Sequence, residues 1–192
     1  MPELCACALF PRVDIRTPIV LVQHVGERSK PTNTARLLAQ MVPSIRIVHF
    51  PLIDRTFDET PFDRPDVAFR TLFPREDATE LAPGDSGLGL VLLDGTWHQC
   101  SRMSRRVPRV HAFPCVHLPP GAPSIWRVRT QHDERGMSTF EAGMRAIEVL
   151  EGPEVVQPLA RAFEVVTARL LFMKGKLRSP EVPSDWTQVA AG

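Results

Sequence analysis

The residues of this chain best suited to chemistry lie together between Leu88 and Arg106, in the stretch LGLVLLDGTWHQCSRMSRR. An apolar run from Leu88 to Leu93 stops abruptly at Asp94-Gly95-Thr96-Trp97 and gives way to polar and basic residues. A short run rich in Leu and Val fits a strand buried on both faces of a parallel sheet. Asp94 then falls at the carboxyl end of that strand, where open α/β sheets hold their ligands. Gly95 permits a tight turn, and Thr96 can cap a helix beginning near Trp97. In that helix Trp97, Cys100 and Val107 share one face, while His98, Arg102, Arg105 and Arg106 recur at three- and four-residue spacing on another. An acid, an aromatic wall and a basic stripe would serve proton transfer, a flat ligand and a polyanion. From the residues alone a simpler account is the commoner one: a turn-forming Asp, a core Trp and a solvated arginine face.

Several elements must position that strand tip. Ile19 to Gln23 reads as a first buried strand, with His24 at its carboxyl end. Thr32 or Asn33 can cap a helix whose apolar face is Leu37, Leu38 and Met41. A loop entering a helix N-terminus offers free backbone N–H groups to a carboxylate or phosphate; a core histidine and a plain cap are the alternatives for His24 and Asn33. Ile45 to Phe50 reads as a second strand. The proline-punctuated stretch after Pro51 reads as a surface excursion with one element, Val67 to Phe73. Pro108 should stop the basic helix, and Val110 to Leu118 reads as a strand ended by Pro119-Pro120-Gly121. Ile125 to Arg129 fits either a further strand or an extended loop. Ser138 and Glu141 have capping-box spacing, so a helix begins there, with Met144 and Ile147 inward, and ends at Gly152-Pro153. A last helix, Val155 to Met173, carries Leu159, Phe163, Val166 and Leu170 at helical spacing. The glycines before the central strand match neither a phosphate loop nor a dinucleotide fingerprint. Strands alternating with helices predict an α/β domain, a mainly parallel sheet flanked by helices.

At 192 residues and 43% hydrophobic the chain suits a single domain. Net charge is +1, but it is unevenly spread. Pro51 to Asp85 holds nine acids against four arginines, and Trp97 to Arg135 holds seven arginines against two acids. A polyanion should meet the second region and avoid the first. No apolar run reaches membrane-spanning length, and the N-terminus lacks the form of a secretory signal. Cys5, Cys7, Cys100 and Cys115 are too few and too unevenly spaced for a disulfide framework, which points to the cytoplasm. Cys5 and Cys7 form one close pair with no second pair nearby, so no metal site is expected. The expected organisation is an N-terminal segment 1–18, a domain 19–178 and a loose tail 179–192.

At Asp94-Gly95-Thr96-Trp97 the sequence resembles the DTW-domain family, named for its D-x-T-W motif. Three further stretches agree in the family's order. Gln23-His24 with Glu27 and Asn33-Thr34 resembles its Q-H-x-x-E…N-T segment, Ser124 to Arg129 its S-x-aromatic-x-aliphatic-R segment, and Ser138 to Ala142 its S-T-x-E-A segment. Any one motif is weak, but four in order are specific, and they span Gln23 to Leu150.

The resemblance implies a tRNA-uridine aminocarboxypropyltransferase that moves the 3-amino-3-carboxypropyl group of S-adenosylmethionine to N3 of a tRNA uridine; a monomer is the expected state. It further implies a SPOUT-like domain with a C-terminal trefoil knot. By the same resemblance Asp94 is the catalytic residue. Asp94, Thr96, Trp97, Leu118, Ser138, Thr139, Glu141, Ala142, Asn33 and Thr34 face the cofactor, with Glu141 on a ribose hydroxyl. His24, His98, Arg102, Arg105, Arg106 and Arg129 face RNA. The N-terminal cysteine cluster common in the family is reduced here to Cys5-Ala6-Cys7. A methyltransferase or an rRNA aminocarboxypropyltransferase of similar fold, and an RNA-binding protein without catalysis, are the alternatives.

Overall fold

The computed structural model describes residues 5–51, 56–83, 87–128 and 136–178. Its centre is a six-stranded sheet, every pair parallel, built from β1 (Ile19–His24), β2 (Arg46–Phe50), β3 (Ala68–Leu72), β4 (Thr79–Glu80), β5 (Leu88–Asp94) and β6 (Cys115–His117). The strand order is β2-β1-β5-β3-β6-β4. Among the described residues five α-helices flank the sheet: α1 (Thr34–Met41), α2 (Trp97–Arg106), α3 (Pro108–Ala112), α4 (Thr139–Glu151) and α5 (Pro153–Met173). This is the single-domain α/β architecture expected from the sequence.

Every residue of β5 is buried, and alternation along the strand divides the core in two. Leu88, Leu90 and Leu92 share one cluster with Ile19 and Leu21 of β1 and with α1, α4 and α5. Val91 and Leu93 share the other with Val20, Val22 and, from α2 and α3, Cys100, Met103 and Val110. The period-two geometry of a strand sends neighbouring side chains to opposite faces, so helices must cover both. Close approach on the first face depends on Gly143. A Cβ there would lie 2.4 Å from Leu38 and 2.9 Å from Leu92, so only glycine lets α4 settle on the sheet and α1.

The chain leaves β1 toward β2 on one side, and leaves β5 toward β6 on the other. Neighbouring strands whose connections diverge make a switch point, and the crevice lies beyond their carboxyl ends. Asp94 and Gln23 end β5 and β1 in direct register.

The structure differs from the sequence reading in several places. The stretch from Val110 to Leu118 is not one strand: α3 occupies Pro108–Ala112, and only Cys115–His117 joins the sheet. Pro108 ends α2 but also sits at the first position of α3, where its missing N–H costs nothing. The element expected at Val67 to Phe73 is present as β3, but it lies inside the sheet between β5 and β6 and not on a surface excursion. Of the two readings for Ile125 to Arg129, the loop holds over Ile125 to Val128, and Arg129 lies outside the described residues. So do residues 179–192, the tail. The trefoil knot depends on how the chain threads between β6 and α4, and residues 129–135 of that stretch lie outside the described residues. No helix among the described residues is long and apolar enough to cross a membrane.

The segment before β1 packs onto this frame. Val13 is buried in the core, and its N–H donates to the Met41 carbonyl at 2.8 Å. Glu151, at the end of α4, accepts the backbone N–H groups of Arg16 and Thr17 at 2.7–3.1 Å. Burial alone would raise Glu151, but those backbone and side-chain donations outweigh it and hold the carboxyl below the ordinary range.

Candidate active site

The site grows from the register of β1 and β5. Parallel pairing sets Gln23 beside Asp94, and the Gln23 Nε2 donates to Asp94 Oδ2 at 2.9 Å. Asn33 enters from the N-cap of α1, where its Oδ1 accepts the Arg36 N–H at 2.8 Å. That contact fixes which way the amide faces, so its Nδ2 must donate outward, to Asp94 Oδ2 at 2.7 Å. Thr139, the first residue of α4, donates its hydroxyl to Asp94 Oδ1 at 2.7 Å. Asp94 is only 4% exposed. A carboxylate so placed is acceptable because three side chains donate to it.

A cavity of roughly 1060 Å³ opens beside this cluster. Its walls include Leu72 and Phe73 after β3, Trp97 and Cys100 of α2, Val116 of β6, the loop from Leu118 to Ser124, and Thr139, Ala142 and Arg145 of α4. Asp94 is not on the wall; Thr139 is. The carboxylate therefore reaches the cavity through the threonine hydroxyl.

Trp97 is 51% exposed, so it is not a core residue beside Cys100 and Val107. Its ring centroid stands 6.0 Å from that of Phe73 at a 50° tilt, and both residues line the cavity. Cys100 also touches the cavity, but burial, with the charges of Asp94 and Glu27, pushes its thiol up to about 12. A thiol at that value carries almost no thiolate at neutral pH and is no nucleophile.

Two capping boxes set the helix starts. Thr96 accepts from the Gln99 N–H while Gln99 returns to the Thr96 N–H. Ser138 and Glu141 make the same exchange at α4. Glu141 does more than cap. Its Oε2 accepts from Ser138 N–H and both the Ser138 and Ser124 hydroxyls, and its Oε1 accepts the Ile125 N–H at 2.8 Å. The carboxylate thereby ties the 118–128 loop to α4. Trp126 anchors that loop in the core, stacked on Phe163, which stacks on Phe140 at 4.3 Å and 7°. Such ring pairs add about 0.5–1.5 kcal/mol each beyond their burial.

Of the residues singled out from the sequence, Trp97, Leu118, Thr139 and Ala142 meet on the cavity wall. Asp94 and Asn33 lie behind it. Thr34, Thr96, Ser138 and Glu141 frame the helix starts. His24 caps a short 3-10 turn, accepting the Gly26 N–H at 3.1 Å. His98, Arg102, Arg105 and Arg106 are exposed on α2, with Arg105 folded back onto the Ser101 carbonyl and hydroxyl. Sequence reasoning overlooked Gln23 and Arg145. Gln23 was visible in the Q-H-x-x-E segment, but only the register puts it beside Asp94.

Among the described residues no group of three or more His, Cys, Asp or Glu gathers to hold a metal. Cys5 and Cys7 are exposed. Hydrogen bonding to the Cys7 backbone and thiol lowers the Cys5 thiol, and the same thiol contact raises Cys7.

The model of the DTW domain matches residues 1–171. The Drosophila melanogaster protein named tRNA-uridine aminocarboxypropyltransferase 2 is 31% identical over 170 residues, 82% of this chain and 67% of that protein. The Mus musculus protein of the same name is 28% identical over 171 residues, 81% of this chain and 55% of its own. The chain thus spans about half to two thirds of the relatives it matches. No solved structure matches it. With its D-x-T-W tip held by the Q-H and S-T segments, the chain belongs to the DTW-domain family.

Proposed function

We propose that this protein is a tRNA-uridine aminocarboxypropyltransferase that takes S-adenosylmethionine as donor and acts at N3 of a tRNA uridine. The carrying observation is the Gln23–Asn33–Asp94–Thr139 cluster behind the wall of a mainly apolar cavity, in a family whose relatives bear that name. Small-molecule pockets run to about 300–1,000 Å³, so a cavity of roughly 1060 Å³ is large enough for a nucleoside donor. Bound S-adenosylmethionine would supply a carbon activated by the neighbouring sulfonium. Leu72, Val116 and Leu118 suit it, since apolar walls favour a step in which positive charge disappears.

The chain's own part is proton handling and placement. Thr139 Oγ1 spends its hydrogen on Asp94, leaving its lone pairs to accept the N3 proton while its own moves to Asp94 Oδ1. Gln23 and Asn33 keep the carboxylate aimed. Trp97 and Phe73 offer flat walls to the cavity, and backbone near Leu118 and Ala142 suits the adenosine. Thr34, Thr96, Ser138 and Glu141 serve by fixing helix starts. Arg102, Arg106 and His98, exposed on α2, are assigned to phosphates, which would position RNA without reading sequence. We read the protein as cytoplasmic and monomeric, with residues 19–178 as the catalytic unit.

Mass spectrometry of nucleosides from tRNA incubated with the protein and S-adenosylmethionine tests this reading. The expected result is uridine carrying one aminocarboxypropyl group at N3. A methylated nucleoside would make it a methyltransferase, and tRNA binding with no mass change would make it a binding protein.

A further inference from the structure

Arg145 is the only permanent cation among the described residues lining the large cavity. No carboxylate pairs with it among the described residues. One of its five N–H donors goes to the Pro119 carbonyl, at 2.9 Å. Its side chain is half-buried against apolar wall. A guanidinium in that setting, without a counterion, is a strong site for a carboxylate or phosphate, which it can grip through two parallel hydrogen bonds.

The chain makes room for that group. A Cβ on Gly121 would stand 2.0 Å from Arg145 Nη2 and 2.6 Å from Cζ, so the guanidinium lies directly on glycine backbone. Both residues line the cavity. Thr139, Ala142 and Arg145 follow at three-residue steps along α4 and form one wall. At 1.5 Å per residue, Arg145 stands about 9 Å along the helix from Thr139.

We propose that Arg145 binds the carboxylate of the aminocarboxypropyl arm, an assignment that rests on the function proposed above. The donor's carboxylate is its only anionic group; the sulfonium and ammonium are cations and the adenosine is neutral. A lone guanidinium therefore attracts one end of the arm and repels the rest. With the carboxylate held at Arg145, the arm runs along α4 toward Thr139, and its sulfur-bound carbon is presented to the acceptor rather than the methyl. Selection between two carbons on one sulfur is a matter of placement, which such an anchor provides.

Calorimetric titration with S-adenosylhomocysteine, which keeps the arm, and methylthioadenosine, which lacks it, tests the assignment. In Arg145→Ala, S-adenosylhomocysteine should bind roughly 10- to 100-fold more weakly, the scale of a charged hydrogen bond, with methylthioadenosine unchanged. Gly121→Ala should reproduce this selectivity by displacing the guanidinium, and Arg145→Lys should recover part of the loss. Equal weakening of both ligands would reduce Arg145 to a clamp on the Pro119 carbonyl and overturn the assignment. Unchanged binding of both, or lost tRNA affinity with S-adenosylhomocysteine unaffected, would overturn it too, the latter in favour of a phosphate contact. Wild-type protein that binds neither ligand would instead refute the donor itself.

Discussion

Asp94 and Glu141 are two nearly buried carboxylates, 4% and 6% exposed, at either side of the start of α4. Their partners differ in kind. Asp94 accepts from three side chains delivered by β1, α1 and α4. Glu141 accepts from two backbone N–H groups as well as two hydroxyls. Two amides aim Asp94 while the Thr139 hydroxyl, its third donor, can turn; the backbone N–H groups on Glu141 each have one direction. The first arrangement suits a group whose proton relations change during a reaction, and the second suits one that fixes the path of the chain.

The neutral amide of each acid should separate them. In Asp94→Asn, the remaining oxygen can still face Gln23 and Asn33, while the new amide meets Thr139, whose hydroxyl can accept. Folding should be nearly unchanged in a thermal melt, while transfer falls by roughly 10²-fold or more, the scale of a general acid–base group. A stable variant with near-wild-type turnover would reduce Asp94 to a turn former. In Glu141→Gln, either orientation sets an amide N–H against a backbone N–H, at Ser138 or at Ile125. One buried donor is left unmet, at a cost of about 1–3 kcal/mol. The melting point should drop by roughly 2–4 °C per kcal/mol for a chain of this size. If Glu141→Gln instead spares stability and weakens only donor binding, Glu141 belongs with the ligand rather than the frame.

The smallest effect belongs to the surface of α2. Changing Arg102, Arg105 and Arg106 together to alanine should flatten the salt dependence of tRNA binding by fewer than three phosphate contacts' worth. Arg105 is already engaged with Ser101, and each contact adds about 0.7–0.9 to the slope. Affinity for the donor should not move. An unchanged salt slope would leave the stripe a solvated face.

What the sequence disclosed follows from how local each feature is. The β5 strand, the Thr96 cap and the Ser138–Glu141 box were legible because each rests on residues within a few positions of one another. The partners of Asp94 were harder, since Gln23 lies 71 positions away and meets it only through strand register. The second role of Glu141 was hidden for the same reason: its contacts with Ser124 and Ile125 cross a loop. Between Val110 and Leu118, short apolar stretches fit strand or helix equally well, and Pro108 can start a helix as readily as end one. The element at Val67 to Phe73 was legible but its burial was not, because an acidic, proline-rich neighbourhood reads as surface although Phe69 and Thr71 are buried between β5 and β6. Arg145 carried no motif; its meaning comes from the cavity it faces and the glycine beneath it.

On the function proposed above, the protein moves the aminocarboxypropyl arm and not the methyl. Parallel incubations of tRNA with S-adenosylmethionine labelled in the methyl group and in the arm measure this directly. Arm label should enter tRNA, and methyl label should leave as methylthioadenosine. Methyl label in the tRNA, with arm label released on S-adenosylhomocysteine, would contradict it.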